Sequence, residues 1–210
     1  MYAMTHAVTT LLIKKRYPSA ALWALLVSVQ AIELLWVAFV YTGIERPEYT
    51  ADTVHLNFLP YSHSIASTAL VALLAWAWLR IGRGQRLLAT AVAIGVVSHV
   101  VLDIIHHEPD VALLPMAAGP RLGLGLALHP AIDFLVEVLY CVGCWLVFRG
   151  SPGLLVAIVV FNLWNLPLMF PRPGTGMLLA QYPAVLPTVI LAQILVTWWA
   201  VAYFSRVRSR

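Results

Sequence analysis

His99 and Asp103 stand four residues apart, with His106 and His107 just beyond them, and His129 and Asp133 repeat the same spacing further along. Both pairs are set in runs of Val, Leu, Ile and Ala. In an α-helix, residues i and i+4 share a face, so each pair presents an imidazole and a carboxylate in one direction. A charge in hydrocarbon costs at least about 2.5–3.5 kcal/mol, so such groups need a compensating partner. A divalent metal ion is the most economical one, since imidazole nitrogen and carboxylate oxygen are both its ligands.

Further donors stand in the neighbouring apolar runs. His63 opens one of them, within Pro60-Tyr61-Ser62-His63-Ser64, and Glu33 falls about ten residues before the end of the first. His63, His99 and Asp103 are the expected primary metal ligands, with Glu33 or Asp133 completing or bridging the site. His129 is the leading general acid/base. Nitrogen and oxygen donors without a thiolate suit zinc first, then iron or manganese. A zinc ion with about three protein ligands and one open position lowers the pKa of its water to about 7, which suits hydrolysis of an ester or phosphoester. Whether these donors hold one ion or two stays open. The Pro- and Gly-containing segment from Glu108 to Gly125 is an expected lid, with Arg121 and His107 as contacts for an anionic headgroup. The same His and acid rows would also serve an ion- or proton-coupled transporter as a relay, or only pack the helices of a structural or regulatory membrane protein.

The elements that carry these residues follow from composition. Of 210 residues, 61% are hydrophobic and 10% charged, against roughly 25% charged residues in a soluble domain. Mean hydropathy is +0.86. About 20 apolar residues span a bilayer core as a helix, and stretches at about 20–43, 59–81, 87–107, 126–148, 153–170 and 184–204 meet or approach that length. Short connections make them one domain over residues 1–210, an all-α polytopic membrane bundle of about six transmembrane helices. Lys14, Lys15, Arg16, Arg80, Arg83, Arg86, Arg149, Arg206, Arg208 and Arg210 all fall on one side of it, ten of the 13 basic residues. Basic loops mark the cytoplasmic side, so both termini are expected there. The other side receives Glu45, Glu48, Asp52, Glu108 and Asp110. With this polarity His99 lies about 12 Å below the outer end of its helix and Asp103 about 6 Å, while Asp133 and Glu137 reach about 10 and 16 Å down theirs. On adjacent antiparallel helices the two rows would meet.

Residues 1–18 admit two readings. They form either a half-inserted helix, which carries His6 about 12 Å above Lys14 toward Glu33, or an interfacial amphipathic segment anchored by Lys14–Arg16. The apolar run after Arg16 is too long for a secretory signal and reads as an uncleaved span. Cys141 and Cys144 are spaced C-x-x-C inside a helix and read as packing residues. No phosphate loop, zinc-finger spacing or basic strip with interleaved aromatics points to nucleic acid; the net charge of +4 is accounted for by topology and lipid contact. The expected partners are membrane lipids and a lipid-like or small-molecule substrate.

Tyr61-Ser62-His63-Ser64 at the head of one helix, Ser98-His99-Val100-Val101-Leu102-Asp103 in the next and Leu113-Leu114-Pro115 beyond it resemble the bacterial inner-membrane family described as membrane-bound metal-dependent hydrolases. Thr5-His6-Ala7 and Glu33 occupy places similar to that family's N-terminal histidine and its acidic residue after the first apolar run. The likeness covers roughly residues 1–140. It implies an inner-membrane location, a hydrolase activity and a metal held by His6, Glu33, His63, His99 and Asp103. The chain departs from the family in having only Glu33 where an Asp-x-Asp-His element is common, and His55-Leu56-Asn57 where an H-R-G is common.

Overall fold

The computed structural model describes residues 2–50, 54–55, 59, 61–115 and 119–206. Asp52, Arg208 and Arg210, part of the charge pattern above, lie outside them. Helix accounts for 73% of the chain, and the described strands are two ribbons of two-residue strands, so the fold is all-α.

Helix α1 (Ala3–Arg16) forms the axis of the bundle. Every residue from Met4 to Leu11 is buried, with α2, α5, α6, α7 and α10 packed around it. An interfacial segment would keep one face open; α1 keeps none along those two turns. It is short, roughly 21 Å at the helical rise, and ends in Lys14, Lys15 and Arg16. The Lys15 ammonium donates to the Val147 carbonyl at 2.6 Å, and Ser151 Oγ donates to the Phe204 carbonyl at 2.9 Å. One end of the bundle therefore gathers the basic residues, and α1 rises from it only partway toward the other, which is called the outer end below.

Helices α2 (Leu22–Val29) and α3 (Ala31–Thr42) are one span broken at Gln30 and bent by 56°. A continuous helix was expected over 20–43. At the break, the buried Gln30 amide donates to the Ala3 carbonyl of α1 at 2.8 Å. The bend also makes a new helix N-terminus at Ala31, which places Glu33 in a first turn, where the helix dipole favours a carboxylate.

Helix α4 (Ile65–Ala77) is capped by Ser64 Oγ, which accepts from the Ser67 amide at 3.2 Å, and it continues into a π-helical turn, Trp78–Gly82. It pairs with α5 (Arg86–His106). Gly95 lets α5 approach α2 closely, since a Cβ there would lie 2.0 Å from Ser28 Oγ. Helix α6 (Pro130–Phe148) begins with Pro at its first turn; α7 (Pro152–Trp164), the short α8 (Leu166–Met169), α9 (Thr175–Gln181) and the long α10 (Val185–Arg206) complete the chain. Strands β1 (Glu48–Tyr49) and β2 (Val54–His55) pair antiparallel, as do β3 (Val111–Ala112) and β4 (Arg121–Leu122).

Among the described residues, five helices are long and apolar enough to cross a membrane, and six spans result if the bent α2–α3 pair counts as one. Their outward faces carry Leu70, Leu73, Leu135, Leu139, Val156 and Leu195, all more than half exposed, while the interior holds buried His, Asp, Glu, Gln and Thr side chains beside an apolar core. Exposed apolar patches on this scale fit a lipid solvent and not water. One expected adjacency does not form: α1 packs between α5 and α6, so the His/Asp rows of those helices do not run face to face. The two helices approach each other at the outer end, where His106 reaches Asp133.

Candidate metal centre

Five side chains from four elements converge around the outer end of α1. His6 comes from α1, Glu33 from the first turn of α3, His63 from the turn ahead of the α4 cap, and His99 and Asp103 from one face of α5. His99 Nε2 lies 3.1 Å from Asp103 Oδ2 and 3.6 Å from Glu33 Oε2. His63 Nε2 lies 3.3 Å from the same Glu33 oxygen and 4.0 Å from Asp103 Oδ2. His6 Nε2 lies 3.4 Å from Asp103 Oδ1, and its ring stacks on that of His99, with centroids 4.0 Å apart and planes 15° apart. His6, His63, His99 and Asp103 are buried, while the Glu33 side chain keeps 21% of its surface open.

The hydrogen bonds behind the cluster fix which ring nitrogens face it. His99 Nδ1 lies 2.8 Å from the Val29 carbonyl, at the end of α2 where the span breaks. A carbonyl only accepts, so Nδ1 carries the proton and donates. Glu45 is buried in the turn before β1, where it accepts from the Tyr61 and Ser62 amides at 2.8 Å each and from Ser62 Oγ at 2.6 Å. With its one proton given to Glu45, Ser62 Oγ accepts from His63 Nδ1, 2.8 Å away. In the neutral rings, Nε2 of both His63 and His99 is therefore a bare lone pair aimed at carboxylate oxygens. Lone pairs facing carboxylates at 3.1–3.6 Å repel unless a metal ion or a second ring proton stands among them. His99 Nε2 and both ring nitrogens of His6 make no hydrogen bond among the described residues.

The set fits a divalent ion. Bonds of about 2.0–2.2 Å place neighbouring donors roughly 3–3.5 Å apart, close to the separations seen between His99 and Asp103 and between His63 and Glu33. Tying each imidazole's far nitrogen to a carbonyl or to a carboxylate-backed hydroxyl is the arrangement that orients histidine ligands. His63 and His99 have it; the His6 ring, among the described residues, does not.

A second buried group lies beyond the first at the outer end. His106, in the last turn of α5, places Nδ1 3.2 Å from Asp133 Oδ1 and 3.9 Å from Glu137 Oε1. Glu137 accepts from the Tyr2 amide at 3.1 Å and also from the Thr5 hydroxyl. Gln193 donates to Asn165 at 3.1 Å in the neighbouring helices.

The remaining expected site residues lie apart. His129, the residue ahead of α6, is exposed, and the imidazole beside Asp133 is that of His106. Asp133 itself belongs to the second group. Arg121 is exposed in β4. His107 Nδ1 lies 3.3 Å from Asp110, and the two line a cavity of about 10 Å³ with Leu59, His63 and Val111, room for about one water. The Glu108–Gly125 segment is fastened to the end of α5 by the amides of Leu124 and Gly125, which donate to the Ile104 and His107 carbonyls at 2.7 Å each. Cys141 and Cys144 are free and buried in the apolar core around α1.

Glu45 and Ser62 carry no sequence signal of their role, because a loop acid and a serine acquire it only when the loop folds back on His63. His106 was legible as a histidine at a helix end, but its partner was not. Comparison with family models, curated proteins and solved structures finds no match to the chain.

Proposed function

We propose that this chain is a multi-pass inner-membrane protein, both termini cytoplasmic, that hydrolyses a lipid-like ester or phosphoester from the extracytoplasmic side with a bound divalent metal, zinc first. The resemblance to the membrane-bound metal-dependent hydrolases supports this reading, as do the basic end and the outward placement of the cluster. The observation that carries it is that His63 and His99, each tied through Nδ1 from behind, both turn Nε2 toward the carboxylates of Asp103 and Glu33.

In this reading His63, His99 and Asp103 hold the ion, which supplies Lewis acidity and an activated water. Parallel stacking keeps the His6 and His99 lone pairs from converging on one point, so His6 backs the second oxygen of Asp103. Glu33, the most open of the five, takes the proton from the attacking water and passes it to the leaving oxygen. The small cavity beside His107 and Asp110 borders His63 and has room for about one water. An apolar groove of about 710 Å³ along α5, lined by Ile94, Val97, Val101, Ile105 and Tyr140, suits an acyl tail, since ligand pockets run to roughly 300–1,000 Å³.

Elemental analysis of the detergent-purified protein, beside His99→Ala, tests the reading. One ion or more per wild-type chain, with the equivalent at this centre lost in the folded variant, supports it. No metal in either would sink it. A proton-coupled transporter is the second reading, favoured by the polar seam from Glu137 through Thr5 and Thr9 to Tyr140 along α1 and α6. Metal-free protein that acidifies vesicles would select it.

A further inference from the structure

The His106, Asp133 and Glu137 group does not enter that reaction, and it has a charge problem of its own. Asp133 and Glu137 are each 1% exposed and stand at i and i+4 on α6, where like charges repel. One imidazole faces both, at 3.2 and 3.9 Å. A doubly protonated His106 would balance one of the two buried carboxylates, and the other must be met by a further cation or by a proton of its own, since an unbalanced buried charge is costly. One ligand atom from each residue lies within 4.8 Å of the others, close enough for all three to touch one ion.

The surroundings orient the group as a ligand set. The Tyr2 amide and the Thr5 hydroxyl, both in the first turns of the α1 segment, hold the two Glu137 oxygens, and the edge of the Tyr2 ring packs against His106 with centroids 5.5 Å apart. Asp133 sits in the first turn of α6, held in place by Pro130 and the helix start. Three protein ligands with His106 partly open, at 14%, leave a coordination position for water or an anionic ligand.

We propose that His106, Asp133 and Glu137 form a second divalent-cation site, separate from the His63–His99–Asp103 centre, with His106 about one helical turn beyond Asp103 on α5. Two carboxylates with one imidazole make a harder donor set than the first centre, suited to manganese or magnesium. The site does not rest on the hydrolase reading, since its charge imbalance exists whatever the first centre does.

Full-length protein in detergent, stripped with chelator and titrated with Mn²⁺, gives the test by metal count and by electron paramagnetic resonance. Wild type should take up two Mn²⁺ per chain, Glu137→Gln one and His99→Ala one, each variant confirmed folded by its elution and thermal melt. No ion in wild type overturns the proposal, as does a count in Glu137→Gln equal to that of wild type. Should that variant fail to fold, His106→Ala reads the same equivalent. One ion kept by His99→Ala and lost by Glu137→Gln would leave this site standing and remove the first.

Discussion

The two clusters use the same residue types in opposite proportion. The inner one sets three imidazoles against two carboxylates and fixes the tautomers of His63 and His99 from behind; the outer one sets a single imidazole against two carboxylates and fixes an acid, Glu137. In the first, positive charge is called for because imidazole Nε2 atoms converge on carboxylate oxygens. In the second, it is called for by surplus negative charge. Burial alone thus does not identify a site's chemistry; the ratio of donors and the direction of their hydrogen bonds do.

Several substitutions would break or sharpen that contrast. The largest effect belongs to His99→Ala, which should remove the inner ion and reduce hydrolysis to background while the outer site keeps its ion, read by elemental analysis beside an ester-hydrolysis assay. Glu33→Gln should retain the inner metal yet lower kcat by roughly 10²–10⁴, the range of general acid–base catalysis; metal loss together with activity would recast Glu33 as a ligand. Glu45→Gln, which unties Ser62 and through it His63, should weaken inner metal binding about 10–100-fold, as losses behind a ligand do, and leave the outer site untouched. Gly95→Ala should cost about 1–3 kcal/mol by overpacking α5 on α2 and loosen the His99 to Val29 contact, with Ser28→Gly restoring part of the melting temperature. The smallest effect is expected for His129→Ala, within about 0.5 kcal/mol as for other exposed positions and without change in either metal count.

Much of the architecture was readable in the chain. Five of the helices expected from apolar length occur within about six residues of the expected limits, because roughly 20 apolar residues leave the backbone few options other than helix. The break at Gln30 was not readable, since no Pro or Gly marks it; it depends on the Gln30 amide meeting the Ala3 carbonyl. Nor was the place of α1 between α5 and α6, which cancels the expected meeting of the His99/Asp103 and His129/Asp133 rows. Residue spacing gives the angle between side chains on one helix but not the rotation of that helix against its neighbours.

The sequence by itself determined which donors exist, their order along each helix and the polarity of the bundle, because these follow from residue type, a fixed rise per residue and the distribution of charge. Only the tertiary structure decided that His6, Glu33, His63, His99 and Asp103 share one space, that Glu45 stands behind His63, and that His106 rather than His129 faces Asp133. Each of those outcomes depends on contacts between segments 16 to 97 residues apart, whose geometry is set by how helices pack and not by any local propensity.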